Sequence, residues 1–329
     1  MAFEWVIMGY LLITLAIVLV MYNKMADPYV MISMRARVLA ITVALWGVYR
    51  MMPCTATRTL RVIAHLAMLS WWYPDTFELN RGLPNLDHIF ASVEQTVFGC
   101  QPALLFSQNF NSTLFSELMH LGYSSYYVFI FVVPAYYLFC RREEFERVAF
   151  VIVAAFFIHY VIFDLLPVSG PQYYYHVVGE DQIAQGVFPN IHDYFHHSWD
   201  GQSASLPGHD GQFFRSLVEL AHRTGERPTA AFPSSHVSIM VLLLLLIWHG
   251  RGRILFFCLL PLGILMFFAT FYIKAHYAID AIAGLASGVL SYWLLMKVTS
   301  NTKSPSKTSR TSRTSKTSRT SRTSKTSNN

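Results

Sequence analysis

In the stretch Lys274-Ala275-His276-Tyr277-Ala278-Ile279-Asp280, a histidine and an aspartate stand four residues apart, where an apolar run opens that continues to Leu295. Residues at that spacing lie one above the other on a helix face, so His276 and Asp280 can meet. A carboxylate on one imidazole nitrogen fixes the tautomer and leaves the other nitrogen free to attack or to take a proton. An unpaired carboxylate inside a bilayer costs roughly 2.5–3.5 kcal/mol on insertion scales, which makes an intramembrane Asp a candidate for function. The alternative is a helix–helix hydrogen bond, or an interfacial histidine that reaches water.

A second group precedes another apolar run: Ala231-Phe232-Pro233-Ser234-Ser235-His236. Proline beside two serines marks a helix start, and free backbone N–H groups at such a start bind anions. Ser234, Ser235 and His236 are expected to face one guest, with the Arg227 cation just upstream and Lys274 on the facing segment. Two histidines, a carboxylate, two cations and a helix N-terminus would then converge around one oxyanion.

The elements that must position these groups are membrane helices. Of 329 residues, 53% are hydrophobic and only 13% charged. Eight apolar runs of spanning or near-spanning length begin at Phe3, Val38, Val62, Tyr123, Val148, Val237, Ile254 and Tyr277. The second, third and sixth are short, and flanking residues must complete them. The first, Phe3 to Tyr22, lacks a small-x-small cleavage signal behind it and reads as a retained anchor. The mixed stretch from Pro74 to Leu121 is expected to form amphipathic or re-entrant helices.

Arginines at 50, 58 and 61, at 141, 142 and 147, and at 251 and 253 fall on one side if the spans alternate. That side is expected to be cytoplasmic, leaving the two motif groups on the opposite face. Lys24, Arg35 and Arg37 depart from the pattern. The net charge of +6 includes eight basic residues between Lys303 and Lys325; without them the body carries about minus two, so no nucleic-acid partner is implied. That tail repeats Lys or Arg, Thr, Ser without an apolar residue and is expected to be disordered and cytoplasmic. The chain divides into amino-terminal membrane helices with an amphipathic segment (1–120), a membrane core (121–298) and the tail (299–329). The four cysteines suggest neither a disulfide framework nor a zinc site.

The long loop from Pro167 to Pro233 carries His192, His196, His197 and His209 with Asp193, Asp200 and Asp210. One use is a divalent-metal site, which would make the chain a metal-handling membrane protein; the other is a polar lid. Asp164, three residues before Pro167, is a candidate for contact with substrate or for a polar contact within the bundle. Isolated histidines at 65, 120, 159 and 249 read as satisfied packing or membrane-interface residues.

The two motifs together, Pro233-Ser234-Ser235-His236 and His276-Tyr277-Ala278-Ile279-Asp280, resemble the type 2 phosphatidic acid phosphatase superfamily over about Tyr123 to Leu295. Phe232 ahead of the first, Tyr277 in the second, and Gly170-Pro171 in the preceding loop are similar to the inositol phosphorylceramide synthase branch. The resemblance implies an all-α polytopic transmembrane helix bundle, with a six-helix phosphatidic acid phosphatase-like core plus amino-terminal extra helices. It further implies phosphoryl transfer with no metal or other cofactor, with His276 as nucleophile held by Asp280, His236 as general acid and base, and Lys274, Arg227, Ser234 and Ser235 on the phosphate. Gly170, Pro171 and Asp164 are the candidate substrate loop.

Two cations common in the phosphatases are replaced, by Thr270 (after Ala269) and by Leu220, and Lys274 is the candidate to supply the missing charge. These departures favour a lipid phosphotransferase, inositolphosphotransferase-like, over a lipid phosphate or polyprenyl diphosphate phosphatase. The expected partners are phospholipid or sphingolipid substrates and the membrane; nothing in the motifs specifies an oligomeric state.

Overall fold

The structure, a computed structural model, describes residues 2–199 and 201–301. The basic tail from 302 onward and Asp200 of the histidine-rich loop lie outside the described residues. Every regular element described is helical. In chain order these are α1 (Ala2–Val20), α2 (Pro28–Met51), α3 (Thr55–Asn80), α4 (Asp87–Phe98), α5 (Pro102–Asn109), α6 (Thr113–Cys140) and α7 (Phe145–Leu165). They continue with α8 (Pro171–Val178), α9 (Glu180–Ala184), α10 (Tyr194–His197), α11 (Phe213–Thr224), α12 (Ser235–His249), α13 (Arg253–Tyr272) and α14 (Ala278–Asn301). The all-α bundle expected from the sequence is what forms, and α6 crosses position 120.

Among the described residues, five helices are long and apolar enough to cross a membrane: α2, α6, α7 with its preceding turn, α13 and α14. This composition makes the chain an integral multi-pass protein. The second apolar run is completed by its flanks into α2, which starts on Pro28 with the Asp27 carboxylate accepting from the Val30 N–H at 3.0 Å. The sixth run remains the 15-residue α12, roughly 22 Å long and short of the ~30 Å hydrocarbon core. The third run lies within α3, which has the length of a span but carries Arg58, Arg61 and His65.

Helix α7 is the centre of the bundle, most of its side chains from Val148 to Phe163 buried against α1, α3, α12 and α14. Around it, α13 packs along α6, and α12 along α14. The second pairing is very close, because Gly284 and Gly288 put one small face of α14 onto α12. A Cβ at Gly284 would lie 2.8 Å from the Ser234 carbonyl oxygen, and one at Gly288 2.5 Å from that of Ser238. Small residues four apart allow this approach between membrane helices.

Arg35 departs from the charge pattern because it is a bundle residue, not a loop residue. It is 2% exposed and forms a two-pronged pair with Asp75 of α3 at 2.8 and 3.3 Å, while its Nε donates to Thr14. Arg61 is likewise buried, against Glu4 and the Tyr49 ring. Buried guanidinium groups need such partners, and here they fasten α1, α2 and α3 together.

The stretch from 74 to 121 folds into the end of α3, the short α4 and α5, and the start of α6. Ala91, Ala103 and Leu104 of this layer pack with Val168, Tyr174, Tyr175, Ala231 and Tyr277, over the end of the bundle where both motif groups emerge. Helix α11 adds an amphipathic element: Arg215, Val218 and His222 face inward, whereas Phe213, Leu217 and Leu220 are exposed apolar residues suited to a membrane interface.

Candidate active site

The two motif histidines meet. His276 lies in the turn between α13 and α14, and His236 in the first turn of α12; His276 Nε2 and His236 Nδ1 are 3.3 Å apart. His276 Nδ1 stands 2.8 Å from the Ala231 carbonyl oxygen. A carbonyl only accepts, so Nδ1 carries the proton and Nε2 presents its lone pair toward His236. Burial first, and then the neighbouring His236, push the His276 imidazole down to about 3, so it is neutral near pH 7. The His236 ring is stacked on Tyr123 (4.7 Å, 27° between planes) and flanked by Tyr126 at 4.4 Å.

Asp280 takes a different partner from the one the spacing suggests. Its Oδ2 is 3.8 Å from His276 Nδ1 and accepts instead from the Tyr277 N–H at 2.9 Å. Tyr277 is the cap of α14 and Asp280 its third residue, so the carboxylate closes the helix N-terminus as in a capping box. Orientation of His276 falls to the Ala231 carbonyl, and Asp280 Oδ1 is left without a hydrogen bond.

The expected phosphate ligands divide. Ser234 caps α12, its Oγ accepting from Val237 N–H at 3.4 Å, and its own N–H donates to the Asp280 carbonyl at 3.1 Å. That amide is therefore occupied by a bond that ties the two motifs together. The Ser235 and His236 amides, at the first two positions of α12, have no partner among the described residues and are the free donors of this start.

Lys274 is buried and paired with Glu180, so its charge is neutralised within the protein. Arg227 lies over the Trp199 ring at 5.4 Å and donates to the Glu226 carbonyl at 2.9 Å. At the two replaced positions, Thr270 is fully buried and its carbonyl accepts the His276 N–H at 3.0 Å, while Leu220 points outward from α11.

Gly170 and Pro171 are not an open substrate loop but a buried brace. Gly170 has φ of 88°, and a Cβ there would lie 2.6 Å from the Ala275 carbonyl oxygen, in the turn that carries His276. Asp164 lies away from the histidines: it is buried near the Arg35–Asp75 pair and accepts from the Tyr10 hydroxyl at 3.4 Å. Its place is the polar contact between α7 and the amino-terminal helices.

In the histidine-rich loop, His197 pairs with Asp193 at 3.2 Å, and no three His, Cys, Asp or Glu side chains among the described residues come together as metal ligands. Of the isolated histidines, His65, His120 and His159 direct Nδ1 at the carbonyl four residues earlier, at 2.6–2.8 Å.

Several residues that hold this geometry have no counterpart in the sequence reading. Asp87, fully buried at the start of α4, accepts from the Asn85 amide, the Ser169 N–H and hydroxyl, the Gly170 N–H and the Tyr277 hydroxyl, all within 2.6–3.1 Å. Seven residues on, Glu94 accepts from the Ile279 N–H at 3.2 Å, at the N-terminus of α14. Asn80 of α3 donates to the Phe163 carbonyl and to Thr229, so the amino-terminal helices also reach the segment that carries Ala231. The i, i+7 spacing of Asp87 and Glu94 on one amphipathic helix was the available signal for this layer.

No curated protein and no solved structure matches the chain. The sequence profile of the PAP2 superfamily matches residues 88–294, well over half of it and including both histidine motifs. The chain therefore belongs to the PAP2 superfamily, a family of helical membrane proteins that are generally phosphatases or phosphotransferases.

Proposed function

We propose that the protein is a lipid phosphotransferase, inositolphosphotransferase-like, working through a phosphohistidine. The observation that carries the reading is the pair of imidazole nitrogens 3.3 Å apart, one of them on a ring whose other nitrogen is tied to the Ala231 carbonyl. His276 Nε2 attacks the phosphorus of a phospholipid diester; the P–O bond to the lipid alcohol breaks, and that oxygen takes a proton from His236. In the second half, an acceptor hydroxyl gives its proton to His236 and its oxygen attacks phosphorus, breaking the P–N bond and restoring His276. Substrate enters by parting the two rings, with the Ser235 amide and Arg227 against the phosphoryl oxygens. Asp280, at 3.8 Å, comes into bonding range of His276 with a small shift as positive charge develops on the ring.

The state of the cations favours a diester over a monoester. With Lys274 paired to Glu180, little positive charge remains for a dianionic phosphate, whereas a diester carries a single negative charge. The acceptor is then a lipid hydroxyl, as on a ceramide or diacylglycerol, rather than water. By the arginine pattern, the site opens on the non-cytoplasmic face, with the basic tail in the cytoplasm.

The test supplies purified protein with a labelled phospholipid donor and a ceramide or diacylglycerol acceptor. New phospholipid, abolished by His276→Ala and by His236→Ala and resistant to chelators, is the expected result. Release of the head-group phosphate from the diester, or of free phosphate from a phosphatidic acid donor, without any new lipid would make water the acceptor and the protein a hydrolase instead. A chelator-sensitive activity that survives His276→Ala would overturn both.

A further inference from the structure

Beside His236 lies a cluster of polar side chains that the transfer chemistry does not use. Glu226 is at its centre: Oε1 accepts from the Tyr123 hydroxyl at 2.7 Å, Oε2 accepts from the Gln172 side-chain amide at 2.9 Å, and His222 Nε2 stands 3.4 Å from Oε2. Burial pushes this carboxyl up, but His222 and His236, together with the bonds from Gln172 and Tyr123, outweigh it, and Glu226 is held below the usual carboxylate range. It is therefore an ionised group that only accepts. This also fixes the Gln172 amide, whose NH2 must face Glu226 and whose Oε1 must point elsewhere.

Gln172 Oε1 has no hydrogen-bond partner, and His222 Nε2, though within ion-pair distance of Glu226, makes no hydrogen bond to it. Gln172 is 5% exposed and the His222 side chain 8% exposed, so water is largely excluded from both. Orphaned polar atoms at such depth cost about 1–3 kcal/mol each, a cost that a bound partner would remove. The cluster adjoins both imidazoles. The Tyr123 ring that bonds Glu226 is stacked on His236, and the Gln172 N–H donates to the Lys274 carbonyl, two residues before His276, at 2.6 Å.

We propose that Gln172, His222 and Glu226 form a hydroxyl-recognising subsite, which takes the polyol head group of the phospholipid bound at the two histidines. The proposal rests on the phosphotransferase reading for its substrate and adds the residues that select it. A carboxylate and an amide oxygen require donors, so the subsite rejects phosphoryl oxygens, which only accept. A trimethylammonium head group offers no N–H to Gln172 Oε1 and nothing for His222. Neighbouring hydroxyls of a polyol serve all three, one donating to Gln172 Oε1, another to Glu226, and either accepting from His222.

The test compares, in proteoliposomes, donors with the same acyl chains and different head groups: phosphatidylinositol and phosphatidylglycerol, phosphatidylcholine, and phosphatidic acid. Wild-type protein is expected to prefer the polyol donors in kcat/KM. In Gln172→Leu and in His222→Phe, the ratio of polyol to choline donor should fall about tenfold, mainly through KM, as one lost hydrogen bond in a closed site predicts. An unchanged ratio in both variants, or a wild-type preference for choline, overturns the subsite. Should one variant fail to fold, the other carries the same comparison.

If wild-type protein turns over no donor, the phosphotransferase reading fails on its own, and thermal shift in detergent still tests the cluster. Inositol 1-phosphate should then raise the midpoint more than inorganic phosphate does, and His222→Phe should remove the difference. Equal shifts would overturn the subsite.

Discussion

The Tyr277 hydroxyl donates to Asp87 Oδ1 at 3.1 Å, joining residues 190 positions apart and tying α4 to the neighbour of His276. The same carboxylate holds Gly170, whose backbone lies against Ala275 on the other side of that histidine. His276 is thus clamped from both of its flanks by one buried side chain.

Tyr277→Phe removes one of the bonds to Asp87 and keeps the ring packing, so it should cost about 0.5–1.5 kcal/mol of stability. Asp87→Asn replaces one acceptor oxygen with an NH2 that must face either the Asn85 and Ser169 donors or the Gly170 and Tyr277 donors, and should cost several-fold more, about 2–4 kcal/mol, with loss of turnover. Thermal midpoints in detergent and lipid turnover measure both. Equal effects of the two substitutions would show that Asp87 acts only through Tyr277.

The α12–α14 contact makes a second prediction. Gly284→Ala puts a methyl 2.8 Å from the Ser234 carbonyl, so α12 must move away from α14. That displacement acts on the Ser234 N–H to Asp280 carbonyl bond and on the separation of the histidines. Turnover should fall about tenfold or more, because misplacement by an ångström or so at reacting groups is costly. Gly47→Ala on α2, with nothing within 4 Å of its new methyl, should leave turnover unchanged. Similar losses in both would argue against close helix packing as the cause.

The motif pair was legible because its spacing encodes its geometry: the helix start at Ser234 and the turn before α14 follow from local chain chemistry, and the all-α bundle follows from the apolar runs. What braces the pair was not legible. Asp87 and Glu94 act on partners 190 and 185 residues away; their i, i+7 spacing marks a polar face of α4 but not the residues that this face meets. Lys274 looked like a free cation because nothing nearby in sequence is acidic beyond Asp280; its partner Glu180 arrives from a helix 94 residues earlier. For Asp280, the i, i+4 spacing does bring the carboxylate to 3.8 Å from His276 Nδ1, while the Tyr277 amide, closer still at 2.9 Å, takes the hydrogen bond.

The buried His276 imidazole, pushed down to about 3, sets the expected pH profile. A depressed histidine loses its proton at lower pH than usual, so the nucleophile is already neutral where an exposed imidazole would still be charged. With a phosphodiester donor, which adds no ionisation of its own near neutrality, the acid limb of kcat/KM should lie well below the ordinary histidine value of about 6.5. Glu226 raises the His276 value by its charge, so Glu226→Gln should move the limb further toward acid. A limb near the ordinary value, unmoved by Glu226→Gln, would mean that another group limits the reaction.

Glu94 supplies the last prediction. Burial raises its carboxyl to about 7, against the Ile279 and Ala278 amides that lower it, from an ordinary value of 4.5. A folded value above the unfolded one means that folding favours the protonated form: this contribution is fully present below pH 4.5 and is lost as pH rises toward 7. Above that range the ionised carboxylate sits buried with Oε1 unpartnered. Glu94→Gln keeps an oxygen for the Ile279 amide and removes the titration. Its thermal midpoint should therefore change less than that of the wild type between about pH 5 and pH 8, with the variant gaining ~1–3 kcal/mol relative to wild type over that interval. A wild-type midpoint with the same pH dependence as the variant would place the Glu94 carboxyl at its ordinary value and remove the cost assigned to its burial.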